Sequence, residues 1–168
     1  MRTSAVTGGG LMAAAIVVLM ALSTPFPSLS LSCAAFSGFL IMFVYLKWGT
    51  GASLLCYIAA SLLSLLFLPS REAAIEFIFL FGLYPMIKLR AERLPGTIAC
   101  WACKMIYLNS IVVVTYFVAR ALIILPPELT DRLYLTLPVL NLTFVLYDIA
   151  FTRVIRIVTH RYQKFFLT

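Results

Sequence analysis

Glu72 and Glu76 stand four residues apart in the stretch "LPSREAAIEF", Leu68 to Phe77, and Asp148 stands alone within the apolar run Leu133 to Phe151. A spacing of four puts both glutamates on one face of a helix, where they can pair with a cation or meet a polar ligand. Tyr116 and Arg120 interrupt another apolar run, as do Asn109 and Asn141. Cys100 and Cys103, in "CWAC", form a C-x-x-C. A redox role for that motif needs a thioredoxin-like strand and helix around it, and a structural zinc site needs two more ligands, of which only His160 is at hand. Neither context is present, so no metal or redox role is expected, and Cys33 and Cys56 read as small packing residues. The sequence holds no H-E-x-x-H, no G-x-S-x-G, no P-loop and no paired aspartates within an apolar run. The expectation is a chain with no catalytic residue, no metal and no cofactor.

The elements that must carry these residues follow from composition. Of 168 residues 63% are hydrophobic and 11% are charged, and the mean hydropathy is +1.06. A soluble domain has about a quarter of its residues charged, so the chain belongs to the membrane class. Apolar segments run from Gly8 to Ser23, Leu29 to Leu46, Gly51 to Leu68, Ala73 to Ile87, Ile98 to Leu125 and Leu133 to Phe151. They are separated by Pro25 with Pro27, Lys47 to Gly51, Pro69 with Ser70, Lys88 to Gly96, and Pro126 with Pro127. The fold class expected is therefore all-α: a polytopic membrane helix bundle of about six transmembrane helices, forming one domain over residues 1–168. No stretch outside these segments is long enough to fold a separate soluble core. The formal net charge of +7 does not signal nucleic acid, because the basic residues punctuate apolar spans instead of clustering on one folded surface.

Lys and Arg in short loops favour the cytoplasmic side. With the N-terminus inside, ten of the thirteen fall on the inner face: Arg2, Lys47, Lys88, Arg90, Arg93, Lys104, Arg153, Arg156, Arg161 and Lys164. Arg71, Arg120 and Arg132 remain outside, accompanied by Glu72, Glu76, Glu128 and Asp131. Both termini are thus expected in the cytoplasm. Arg2, the apolar core Leu11 to Ala21 and the small residues before Pro25 also resemble a cleavable secretory signal, although Gly8 to Gly10 lengthen the segment toward a retained span. Past the last span, residues 152–168 contain "RVIRIVTHRYQKFF", a basic juxtamembrane tail suited either to anionic headgroups or to plain topology anchoring.

Depth at 1.5 Å per residue sorts the polar residues into layers. Glu76 and Arg120 each lie roughly 6 Å from the outer side, Tyr116 and Asn141 roughly 12 Å, and Asn109 and Asp148 roughly 22 Å. Ser70 and Glu72 suit the start of a helix, as cap and as an acid at its positive end. Glu76, one turn deeper, is open to two readings: a salt bridge to Arg120 or Arg71, or an outward-facing ligand contact. Asp148 can be neutral, bonded to Asn109, or paired with Lys104. Asn141 and Tyr116 suit either a pocket or interhelical hydrogen bonding. On the first helix Gly9 with Ala13, and Gly10 with Ala14, put small residues four apart, which suits close approach to another membrane helix or packing within the bundle.

Taken together, "GGGLMAAAIVVLMALSTPFP", with "STPFPSLS" as a proline-containing first outer loop, resembles the substrate-binding S components of energy-coupling factor transporters; "LPSREAAIEFIFLFGLYPMIKLRAERL" also resembles uncharacterised small bacterial membrane proteins with S-component-like features. The family's Ala-x-x-x-Ala pattern on the first helix is met here by Gly9 with Ala13. The resemblance implies a multi-pass protein of the bacterial cytoplasmic membrane that captures a small, vitamin-like nutrient from outside. It implies a substrate site among Pro25, Phe26, Glu72, Glu76, Tyr116, Arg120 and Asn141. It implies docking through Gly9, Gly10, Ala13 and Ala14 to a separate energy-coupling membrane subunit, with two ABC ATPases supplying energy. Membrane lipids are the remaining partner, and nucleic acid is not one. A competing resemblance, in size and span count, is to the rod-shape protein MreD, a non-catalytic scaffold of envelope biogenesis. A scaffold needs no outer pocket, and its polar residues pair off.

Overall fold

A computed structural model describes residues 3–69, 71–93, 95–122 and 133–161, apart from the side chains at 27, 71, 72, 116, 118–122, 133–136 and 161. Its elements are α1 (Thr3–Ala21), a 3-10 turn (Pro27–Leu29), α2 (Ser30–Phe67), α3 (Arg71–Glu76), a π-helical turn (Phe77–Phe81), α4 (Tyr84–Ala91), α5 (Thr97–Leu122) and α6 (Leu133–Arg161). Among the described residues helices joined by short turns make up the fold and no strand is present, as expected of an all-α chain. Among them three stretches are long and apolar enough to cross a bilayer: Thr3–Ala21, Ser30–Phe67 and Thr97–Thr115.

Six separate spanning helices are not what these residues form. The second and third apolar segments join in α2, whose 38 residues bend at Gly49. There the backbone takes φ 84° and ψ −173°, a conformation essentially confined to glycine. The break falls in the Lys47 to Gly51 punctuation, but one residue, and not a loop, makes it. The fourth segment is divided into α3, the wide turn and α4. In that turn Gly82 N–H reaches back five residues to the Phe77 carbonyl at 2.7 Å, and Pro85, lacking an N–H, opens α4. The last helix does not stop at Phe151; α6 continues through the basic stretch to Arg161.

The chain divides into two compact units, Met1–Cys100 and Trp101–Thr168. In the first, α1 packs on α2 through a stripe of Ala5, Gly9, Ala13, Ile16 and Met20, spaced three or four apart as one helix face requires. Beyond the bend α2 buries Ala52, Ser53, Cys56, Ala60, Ser61 and Ser64. Serines fit this apolar setting when their hydroxyls return to their own helix: Ser53 donates to the Thr50 carbonyl and Ser64 to the Ser61 carbonyl, each at 2.9 Å. Where α1 ends, Ser23 is buried and donates to the Met20 carbonyl at 2.6 Å, closing the turn that leads to α2. The second unit is built on α5 and α6.

Candidate functional site

In the second unit the polar residues of α5 and α6 meet. Lys104 Nζ donates to Asp148 Oδ2 at 2.8 Å, with side-chain exposures of 4% and 3%. A lone charge buried this far from solvent is costly, so the lysine and the aspartate are held by each other. Three residues earlier on α5, the Trp101 ring lies 5.2 Å from Lys104 Nζ, a cation–π contact on the ammonium. Next to the carboxylate, the Tyr147 and Phe151 rings pack at 5.4 Å, and the Thr152 hydroxyl donates to the Asp148 carbonyl at 2.8 Å.

A second polar layer joins the same helices. Asn109 Nδ2 donates to Asn141 Oδ1 at 3.3 Å, and Asn141 Nδ2 donates to Asn109 Oδ1 at 3.5 Å. Each amide also donates to the carbonyl one turn back on its own helix, Met105 and Leu137, both at 2.9 Å. Donors and acceptors on both amides are thereby used, which makes the pair a neutral clasp.

Of the three fates open to Asp148, the structure takes the ion pair with Lys104. The layering differs from the depth count, which set Asn109 level with Asp148 and Asn141 level with Tyr116. Asn109 lies opposite Asn141 instead. The count treated the outer ends of the two helices as level. That count sets the two asparagines roughly 10 Å apart in depth, whereas the structure brings their amides together.

Pro25 and Phe26 are exposed in the turn between α1 and α2, Phe26 to 62%, and Glu76 is half-buried at the end of α3, all in the first unit. Asn141 belongs to the second unit. The side chains of Glu72, Tyr116 and Arg120 lie outside the described residues, as do Ser70 and the side chain of Arg71, so the expected cap and the Glu76 salt bridges fall there too. Gly9 and Ala13 are buried in the stripe facing α2, whereas Gly10 and Ala14 are exposed. Between α1 and α2 opens an apolar groove of about 250 Å³ lined in part by Ala5, Gly9, Gly10, Ala52, Cys56 and Ala59. Among the described residues no three His, Cys, Asp or Glu side chains converge as a metal site would need.

Two arrangements escaped the sequence reading. Tyr57, on α2, donates its hydroxyl to the Ile78 carbonyl at 2.9 Å, and its ring lies flush on Gly82. A Cβ at Gly82 would stand 2.6 Å from Tyr57 Cε2 and 2.9 Å from the Phe77 carbonyl oxygen. The wide turn thus exposes a backbone acceptor, and Tyr57 occupies it. The signal was the isolated Gly82 within an apolar run, but the partner is 21 residues distant. The second is Lys88, fully buried in α4 and paired with Glu92 at 2.9 Å. Its i,i+4 acid was visible; its burial was not.

Compared with protein-family models, with curated proteins and with solved structures, the chain matches none of them significantly.

Proposed function

We propose that this chain is a multi-pass integral membrane protein that acts by holding other components, without chemistry of its own, as a scaffold of the cell envelope does. The observation that carries this reading is the pairing across α5 and α6, where Lys104 engages Asp148 and Asn109 engages Asn141. Polar groups at depth that satisfy one another fix helix positions and leave little to offer a ligand. In the finer form of the proposal, six segments cross the bacterial cytoplasmic membrane with both termini inside. The bend at Gly49 supports this, because residues 30–48 and 50–67 are each long enough for a separate pass. The basic bias of the inner loops supports the orientation.

A second reading is favoured by one feature of the first unit: Pro25 and Phe26 stand exposed at the turn after α1, where a small molecule arriving from outside would be met. In that reading the chain is the substrate-capture subunit of an energy-coupling factor transporter. Glu76 contributes to binding, and the exposed Gly10 and Ala14 face the energy-coupling membrane subunit, whose two ATPases do the hydrolysis. The readings separate in a thermal-shift screen of the purified protein against a library of small nutrients, with Phe26→Ala and Glu76→Gln alongside. A compound that stabilises the wild type and neither variant establishes capture. Absence of any stabilising compound, with native purification recovering cell-wall machinery, establishes the scaffold.

A further inference from the structure

The groove between α1 and α2 is lined by apolar side chains and the Cys56 thiol, whereas the end of α6 is strongly polar. That helix has 29 residues, about nine more than a bilayer crossing needs, and the surplus is its basic end. Arg153, Arg156 and His160 are all exposed. At 100° per residue they fall within about 60° of one another, roughly 150° from the buried face of Phe144, Asp148 and Phe151. They climb about 10 Å of helix. The only acid after residue 132 is Asp148, and Lys104 engages it. From residue 149 to 168 the sequence adds Arg161 and Lys164 and no carboxylate. Among the described residues, Arg153 and Arg156 have no acidic partner.

We infer that this stripe, at the level where α6 leaves the hydrocarbon, holds the phosphates of anionic phospholipid headgroups. The chemistry is charge complementarity: exposed guanidinium groups spaced one turn apart, turned away from α5, with no carboxylate among the described residues competing for them. A helix that continues unbroken past the crossing sets the arginines of its first extra turn at headgroup level and carries His160 a further turn outward. The inference rests on α6 crossing the bilayer and on neither functional role.

The test is native mass spectrometry of the full-length protein released from detergent with equimolar phosphatidylglycerol and phosphatidylethanolamine. The wild type is expected to retain phosphatidylglycerol preferentially. Each Arg→Gln change, at 153 and 156, is expected to lower that preference about fivefold, and both together about thirtyfold. Arg153→Lys with Arg156→Lys should keep most of it. Should the glutamine variants fail to fold, the wild type's preference must still fall as ammonium acetate is raised, and millimolar inorganic phosphate must not displace the lipid. Equal retention of the two lipids by the wild type, or unchanged preference in the folded Gln variants, overturns the inference. A chain that purifies without detergent refutes the membrane crossing itself.

Discussion

Replacing Asp148 with Asn leaves the Lys104 ammonium in a site exposed to only a few per cent, without its counter-charge. At 2.8 Å the two charges attract by about 6 kcal/mol with an effective dielectric of about 20, and desolvation of both ions offsets much of this. Removing one partner of a buried pair nevertheless costs about 3–5 kcal/mol, because the survivor stays buried and uncompensated. The Trp101 ring, at 5.2 Å, returns about 1–2 kcal/mol of that to the ammonium. A loss of about 1–4 kcal/mol is therefore expected for Asp148→Asn, and about 3–5 kcal/mol for Lys104→Met, where no cation–π contact offsets the loss. The double variant Lys104→Met with Asp148→Leu should recover most of the stability, since an apolar pair of similar volume has no desolvation to overcome. The assay is equilibrium unfolding in mixed micelles, with the wild type, Lys104→Met, Asp148→Leu and their combination forming a double-mutant cycle. Single losses that simply add in the double variant, with coupling below about 0.5 kcal/mol, would refute the claim that these residues act as one pair.

Gly82→Ala is expected to cost about 1–3 kcal/mol in the same assay, since its Cβ meets both the Tyr57 ring and the Phe77 carbonyl oxygen. Tyr57→Phe keeps the ring and loses only the hydroxyl bond to Ile78, so about 1 kcal/mol is expected. Gly49→Ala, with open space around it, should cost about 1–3 kcal/mol through backbone conformation alone. Asn141→Leu is expected to lose about 0.6–2 kcal/mol, and adding Asn109→Leu should cost less than the first change did.

Solvent class was legible from 11% charge, and the break near Gly49 from Lys47 to Gly51. The Lys104–Asp148 pair stood among the alternatives because charges at depth need partners. Register did not, because it depends on where each helix meets the interface, and Asn109, counted level with Asp148, lies opposite Asn141. Faces were equally hard to read. A helix apolar all round carries no period to say which side is inward, so the use of Gly9 and Ala13 against α2, with Gly10 and Ala14 left outward, required coordinates. The Tyr57 contact with the wide turn spans 21 residues, so the isolated Gly82 marks a close approach without naming the partner.

The central claim is that polar residues at depth on α5 and α6 clasp each other instead of lining a pocket. The most direct measurement is thiol cross-linking in native membranes, with the four native cysteines replaced by serine or alanine and a short bifunctional reagent. Asn109→Cys with Asn141→Cys is predicted to link efficiently within one chain, while Tyr116→Cys with Asn141→Cys, displaced by seven residues along α5, is predicted to remain unlinked. Efficient linkage of the second pair and none of the first would contradict the account.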